Sequence, residues 1–150
     1  MYTKECQDDR IIKHSLEIVK IQSFKQVLAR EGENFVKQHY TNLECSVTDA
    51  GERWIQYLAG RWAAKTVITN CLTKDESQSA NLTNKNHDQS ISWLNIEISR
   101  LPTGQPLVKL FGKYQERATR LGIKQWLLSI SHTAIYAVAS AAVVVKNSQL

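Results

Sequence analysis

The chain has 150 residues, 43% of them hydrophobic and 22% charged, which are proportions of a folded globular domain and exclude a disordered or fibrous protein. This length suffices for one compact domain and is too short for two ordinary ones. The formal net charge of +5 suggests an anionic partner, which could be nucleic acid, an acidic protein or a phosphorylated cofactor, although an ordinary basic surface explains it equally well.

No membrane, secretory or disulfide signal stands out in the sequence. The longest apolar run, from Ala134 to Val145, is interrupted by Ser140 and falls short of the roughly 20 residues that a membrane-spanning helix needs. Residues 1–15 contain neither an apolar core nor a small-residue cleavage site. Three cysteines without a CxxC spacing favour free thiols over a disulfide framework or a zinc site. We therefore expect a cytoplasmic protein that does not contact a membrane.

The first predicted elements are a strand and a helix. Residues 1–13 are polar and indicate an N-terminal extension, followed by a single domain over residues 14–150. Leu16 and Ile18 alternate with polar neighbours and share one face, which predicts a strand. Ser23 can cap a following helix, because apolar residues recur behind it at helical spacing.

The segment from Glu52 to Leu72 predicts the central helix of the fold. It contains no proline, and its apolar residues occupy most sides of a helix, which is typical of a buried element. The segment from Thr73 to Ser92 is rich in Asn, Ser, Asp and Gln and predicts a long exposed loop.

The remaining segments predict a hairpin, an amphipathic helix and two strands. Strands and helices intermix without a regular βαβ rhythm, so we predict an α+β fold in which an antiparallel sheet packs against the long buried central helix. In chain order, these last elements are predicted over residues 93–110, 113–121, 125–131 and 136–145.

Two groups of residues suggest chemistry. Arg61 and Lys65 are four residues apart, so both cations lie on one face of the central helix and could bind an anion. They could equally reach solvent or pair with carboxylates such as Glu52 or Glu97. The second group is Ser129–Thr133, which places hydroxyls and an imidazole at the end of a strand, where binding sites often lie, although a single histidine there is commonly structural.

Four ordered motifs stand out along the chain: Gly60-Arg61-Trp62-Ala63-Ala64-Lys65, Asn95-Ile96-Glu97-Ile98, Gly104-Gln105-Pro106 and Ser129-Ile130-Ser131-His132-Thr133. In order and spacing they resemble the holo-acyl-carrier-protein synthase type of 4'-phosphopantetheinyl transferase. The resemblance covers the chain from about Ser15 to Val145 and implies the fold of that family.

The resemblance implies an enzyme that moves 4'-phosphopantetheine from coenzyme A to a serine of an apo acyl carrier protein, with Mg²⁺ bridging the pyrophosphate oxygens. The carrier could serve a fatty-acid, polyketide or peptide synthase. The family also implies a homotrimer whose active sites lie between neighbouring subunits. By the same resemblance, the residues around the cofactor are Arg61, Lys65, Ser131, His132 and Thr133.

The sequence departs from the family at the metal-ligand positions. The family has an Asp in the first strand and a Glu in the central helix, where this chain has Glu17 and Thr66, and its later Lys is replaced by Asn70. We therefore expect Glu17 and Thr66 as the metal ligands, with Mg²⁺ bound weakly or not at all, since a hydroxyl brings no charge. As catalytic residues we expect Lys65 and Glu17, the latter acting as a base through water.

Two alternatives to this enzyme remain. A catalytically impaired relative could keep the binding of coenzyme A or of a carrier protein and serve as a regulatory or scaffolding module. A nucleic-acid-binding protein is supported only by the positive charge, and because no nucleic-acid motif accompanies that charge, we expect no nucleic-acid partner.

Overall fold

The computed structural model describes residues 10–47, 51–73 and 92–146, and it confirms the α+β class with antiparallel sheets. The loop predicted after the central helix lies almost entirely outside these residues. The elements, in chain order, are β1 (Arg10–Lys20), α1 (Ile21–His39), α2 (Asn42–Cys45), α3 (Glu52–Thr73), a 3-10 turn (Trp93–Asn95), β2 (Ile96–Arg100), β3 (Pro106–Leu110), α4 (Gly112–Arg120), β4 (Leu127–His132) and β5 (Tyr136–Lys146).

A three-stranded antiparallel sheet in the order β1-β5-β4 packs against α3, and β2 and β3 form a separate hairpin. The predicted central helix is confirmed as α3, whose buried residues form most of the core. None of the helices in the described ranges is long and apolar enough to cross a bilayer.

Small side chains allow α3 to lie close to the sheet. The inward face of β5 carries Ala137, Ala139 and Ala141, all fully buried. On the helix side, a Cβ added to Gly60 would stand 3.0 Å from the Cγ2 atom of Ile130, which is tighter than ordinary contact distance. Since interiors are packed as densely as organic crystals, larger residues at these positions would push the helix away from the sheet.

The beginning of the chain differs from the prediction. β1 starts at Arg10, within the predicted polar extension, because residues 10–13 pair with the end of β5. α1 starts at Ile21 directly after β1, so Ser23 lies inside the helix and does not cap it. Within α1, Gly32 has a φ of 62°, a left-handed conformation that interrupts the helix and that glycine adopts readily.

The buried face of β1 is the polar one. Leu16 and Ile18 share a face, as predicted, but they are 53% and 56% exposed on the side of the sheet away from α3. Ser15, Glu17 and Val19 face the helix instead. The alternation therefore identified which residues share a face but not which face is covered.

Candidate active site

Lys65 lies at the centre of the molecule with 0% of its surface exposed. Its ammonium nitrogen, Nζ, is 2.8 Å from Oε2 of Glu44 and donates hydrogen bonds to the carbonyl oxygens of His39, at 2.6 Å, and Trp93, at 3.1 Å. Burial lowers the pKa of Lys65, and the charge of Glu44 opposes that shift. Within the described residues, the ammonium group thus has three acceptors and no exposed surface.

The Glu44 carboxylate accepts hydrogen bonds from the backbone in addition to its ion pair with Lys65. Its Oε2 also accepts a hydrogen bond from the backbone N–H of Thr41 at 2.9 Å, and its Oε1 accepts one from the N–H of Ile98 at 3.0 Å. The hydroxyl of Thr41 accepts in return from the N–H of Glu44, which completes a capping box at the start of α2. One buried carboxylate therefore joins α2, α3 and β2.

The prediction that Lys65 binds phosphate and acts in catalysis does not fit this geometry, because the ion pair and two carbonyls already satisfy the ammonium group. The carboxylates considered for it pair elsewhere: Glu52 with Lys25, and Glu97 with Lys109 at 3.8 Å. Sequence analysis missed Glu44, although the Thr41-x-x-Glu44 spacing is a recognisable capping-box signal.

Arg61, one helical turn before Lys65, has no ion-pair partner among the residues that the structure describes. Only 3% of the residue is exposed, its guanidinium carbon lies 3.7 Å from the ring centroid of Tyr57, and its buried Nε atom has no hydrogen-bond partner. Burial lowers the pKa of Arg61, and the charge of Arg100 lowers it further, whereas Tyr57 and Glu44 act in the opposite direction.

The register between β2 and α3 explains the approach of Arg100. Ile98 and Lys65 meet at the Glu44 carboxylate. Arg100 lies two residues further along the same face of β2, about 6.8 Å away, and Arg61 lies one turn earlier in α3, about 6 Å along the axis. Two guanidinium groups are thereby brought near each other on one side of the helix, an arrangement that an anion would stabilise.

Two hydrogen bonds between β1 and α3 indicate that Glu17 and Thr66 lie at the same level on the other side of α3. The amide nitrogen of Asn70 donates a hydrogen bond to the Ser15 hydroxyl at 3.1 Å, and the Lys13 ammonium donates one to the Cys71 carbonyl at 3.2 Å. β1 and this part of α3 therefore run in opposite directions. Thr66 lies one turn before Asn70 in α3, a displacement of about 6 Å along the helix axis. Glu17 lies two residues after Ser15 in β1, a displacement of about 6.7 Å along the strand. Because the two elements run in opposite directions, these displacements bring Thr66 to the level of Glu17.

The Glu17 carboxylate is half-buried and makes no hydrogen bond or ion pair with any residue that the structure describes. The Thr66 hydroxyl donates to the Trp62 carbonyl at 3.0 Å, which leaves its oxygen lone pairs free to accept or coordinate. The Glu17 carboxylate and the Thr66 hydroxyl are both hard oxygen ligands, and only the carboxylate carries a charge. They fit a magnesium ion whose other ligands are substrate phosphates and waters. Residues 10–47, 51–73 and 92–146 contain no group of three or more His, Cys, Asp or Glu side chains suited to a metal.

The predicted residues at the end of β4 are exposed and do not converge. Ser131 pairs across the sheet with Val138 and His132 with Ala137, so their side chains point to opposite faces. The Thr133 hydroxyl accepts hydrogen bonds from the backbone N–H groups of Ile135 and Tyr136, at 3.1 Å each, and so closes the turn before β5.

Within the described chain, the predicted site residues thus form separate groups. Arg61 and Thr66 are five positions apart in α3, which places them about 140° apart around the helix axis. His132 belongs to a third location at the sheet edge. Besides Glu44, sequence analysis missed Tyr57, whose ring contacts the Arg61 guanidinium, and Arg100, whose charge lowers the pKa of Arg61.

The buried ion pair gives a test of stability. Glu44→Gln should lower the free energy of unfolding by about 3–5 kcal/mol, because Lys65 would keep a buried charge without a counter-ion. Urea denaturation measures this loss. Glu52→Gln, which removes the surface partner of Lys25, should change stability by less than about 1 kcal/mol. Similar losses in the two variants would contradict the structural role of the pair.

Curated relatives agree with the fold. No family model matches the chain. The holo-[acyl-carrier-protein] synthase of Herpetosiphon aurantiacus is 31% identical over 126 residues, which are 83% of this chain and 91% of that protein. The enzyme of the same name from Dehalococcoides mccartyi strain CBDB1 is 34% identical over 123 residues, covering 82% of this chain and 90% of the relative.

Solved structures give the same result. The Chronobacterium ammoniagenes ACPS-CoA complex matches with a TM-score of 0.71 at 26% identity, covering 89% of this chain and 96% of that one. Plasmodium yoelii holo-ACP-synthase, at 23% identity, shares the fold with a TM-score of 0.69 over 92% of this chain and 98% of its own. The resemblance seen in the sequence motifs is confirmed, and the chain belongs to the holo-[acyl-carrier-protein] synthase family.

Proposed function

We propose that this chain transfers 4'-phosphopantetheine from coenzyme A to a serine of an apo acyl carrier protein. The relatives are holo-[acyl-carrier-protein] synthases, and the Chronobacterium ammoniagenes structure is a CoA complex. The observation that carries the proposal is the buried guanidinium of Arg61, whose Nε lacks a partner beside the second cation of Arg100. A phosphorylated substrate supplies the missing anion.

The reaction is a phosphoryl transfer. The serine oxygen forms a bond to the phosphorus next to pantetheine, the bond from that phosphorus to the leaving 3',5'-adenosine bisphosphate breaks, and the serine proton passes to a base. Positioning and charge neutralisation supply most of the catalysis in such reactions. Arg61 and Arg100 bind a phosphate of coenzyme A through charge-assisted hydrogen bonds.

Glu17 and Thr66 serve the reacting diphosphate. Together they would hold Mg²⁺, which when bound neutralises charge on the diphosphate. One carboxylate and one neutral hydroxyl bind the ion weakly in the absence of substrate phosphates. The carboxylate of Glu17, which is free of protein partners in the described chain, also receives the serine proton through a water molecule.

A homotrimer would complete the site. His132 and Thr133 lie apart from Arg61 on their own chain, so we assign them to the nucleotide end of a site shared with a neighbouring subunit. The side of the sheet away from α3 is apolar and exposed, which suits burial against a second copy. Its exposed apolar residues are Ile12, Leu16, Ile18, Leu127 and Val144.

A catalytically impaired binding module is the competing function. It is favoured by the neutral Thr66 and Asn70, whose side chains donate hydrogen bonds within the protein. This module would bind coenzyme A or a carrier without transfer. The predicted cytoplasmic location stays a prediction under either function.

Carrier modification distinguishes the two functions. The protein is incubated with coenzyme A, Mg²⁺ and apo carriers of fatty-acid, polyketide and peptide synthases, and a mass increase of one phosphopantetheine is expected on at least one carrier.

In the same assay, Arg61→Met should lower kcat/KM for coenzyme A by about 10- to 100-fold, because a charged hydrogen bond to phosphate is lost. Arg53→Met, on an exposed position of the same helix, should leave it unchanged. Binding without mass increase on any carrier would favour the module.

The metal ligands give a second test. Thr66→Glu should tighten Mg²⁺ binding in the presence of coenzyme A, measured by calorimetry, because it adds a carboxylate opposite Glu17. Gln56→Glu adds the same charge about 15 Å away along α3 and should have no such effect. Unchanged affinity in a folded Thr66→Glu protein would show that the metal lies elsewhere.

Assembly gives a third test. We expect a trimer in sedimentation velocity, and Ile18→Lys should dissociate it by placing a charge on the apolar sheet face. Activity should fall with it, since neighbouring subunits share the site. Gln26→Lys, on the exposed side of α1, should remain trimeric. A monomeric, active wild-type protein would refute the shared site.

A further inference from the structure

We propose that Ser15 and Asn70 form a positioning pair that holds the Glu17 carboxylate opposite Thr66 for the transfer reaction. The inference rests on the proposed function. The pair consists of one hydrogen bond of 3.1 Å from the Asn70 amide to the Ser15 hydroxyl, and Ser15 is only 4% exposed. Neither residue touches the reacting atoms, so both act through Glu17.

The hydrogen bond lies one step from the carboxylate in both elements. Ser15 and Glu17 are successive residues on the helix-facing side of β1, and Asn70 and Thr66 are successive residues on the strand-facing side of α3. A contact between Ser15 and Asn70 therefore fixes the distance between β1 and α3 and their relative position along their axes. It does so next to the position where Glu17 lies opposite Thr66.

β1 needs such a contact because it is an edge strand. In the described sheet it pairs only with β5, so backbone hydrogen bonds restrain one of its two edges. Its distance from α3 is set by side chains. Lys13 provides a second link to α3 at the Cys71 carbonyl, but that link is four residues from Glu17 and lies beyond the Ser15–Asn70 contact.

Glu17 depends on its backbone for its position. Its carboxylate has no hydrogen-bond or ion-pair partner in the part of the chain that the structure describes, so no side-chain contact there holds it in place. A shift of β1 relative to α3 is then transmitted directly to the reacting group. Displacements of about 1 Å at a reacting group can cost up to roughly a hundredfold in rate.

Ser15→Ala and Asn70→Ala test the pair, alone and combined. Each should lower kcat for carrier modification by about ten- to a hundredfold, and the double variant should be no worse than either single variant, because both changes break the same contact. KM for coenzyme A should change by less than about twofold. Calorimetric binding of 3',5'-adenosine bisphosphate without metal should likewise be preserved, because Arg61 lies on the other side of the helix. Ser15→Thr, which keeps the hydroxyl, should retain most of kcat.

Thr69→Val is the matched control. The Thr69 hydroxyl, at the neighbouring helix position, lies 3.5 Å from the Tyr114 hydroxyl and so makes its polar contact with α4 instead of β1. This variant should lower the melting temperature without changing kcat. If the Ser15 and Asn70 variants behave in the same way, the pair is only structural and the inference is overturned. A wild-type protein that modifies no carrier would instead overturn the proposed function, and the inference with it.

Discussion

The buried ion pair between Glu44 and Lys65 determines how the central helix is set in the fold. Two charges removed from water are tolerated only when their remaining hydrogen-bonding groups are also satisfied, and here backbone groups of α1, α2, β2 and the turn before β2 complete the set. These directional contacts fix the rotation of α3 about its axis. That rotation turns Arg61 toward the side on which the charge of Arg100 acts, and it turns Asn70 toward Ser15 of β1.

The rotation of α3 places cationic side chains on one side of the helix and a carboxylate with neutral polar groups on the other. One side carries the cations Arg61 and Arg100, for which the described residues supply no ion pair, because Glu44 is used by Lys65. The other side carries the Glu17 carboxylate near neutral hydroxyl and amide groups. A substrate with two separate phosphate groups can use both kinds of surface, but one copy of the chain presents them on different sides. This is the physical reason for expecting a site shared between copies.

The candidate site was predictable where chemistry follows from local spacing. The central helix and the strand before it were expected from periodicity, and the Asn70–Ser15 hydrogen bond shows that the two elements meet. The ion pair of Lys65 had no local signal, because two cations at that spacing indicate a shared anion only if neither already has a counter-ion, and its partner Glu44 is 21 positions away in sequence. Arg100 had no local signal at all, since its importance comes from its approach to Arg61.

By itself, the sequence determined the class of fold, the long buried helix, the hairpin and the family, because these follow from periodicity, turn residues and ordered motifs. Tertiary structure alone decided which face of β1 is covered, which carboxylate neutralises Lys65, and that the buried Nε atom of Arg61 has no hydrogen-bond partner in the described chain. The reason is that periodicity depends on neighbours along the chain. Burial and charge pairing depend on residues that meet only after folding, as when Ser15 is covered by α3 while Leu16 stays exposed.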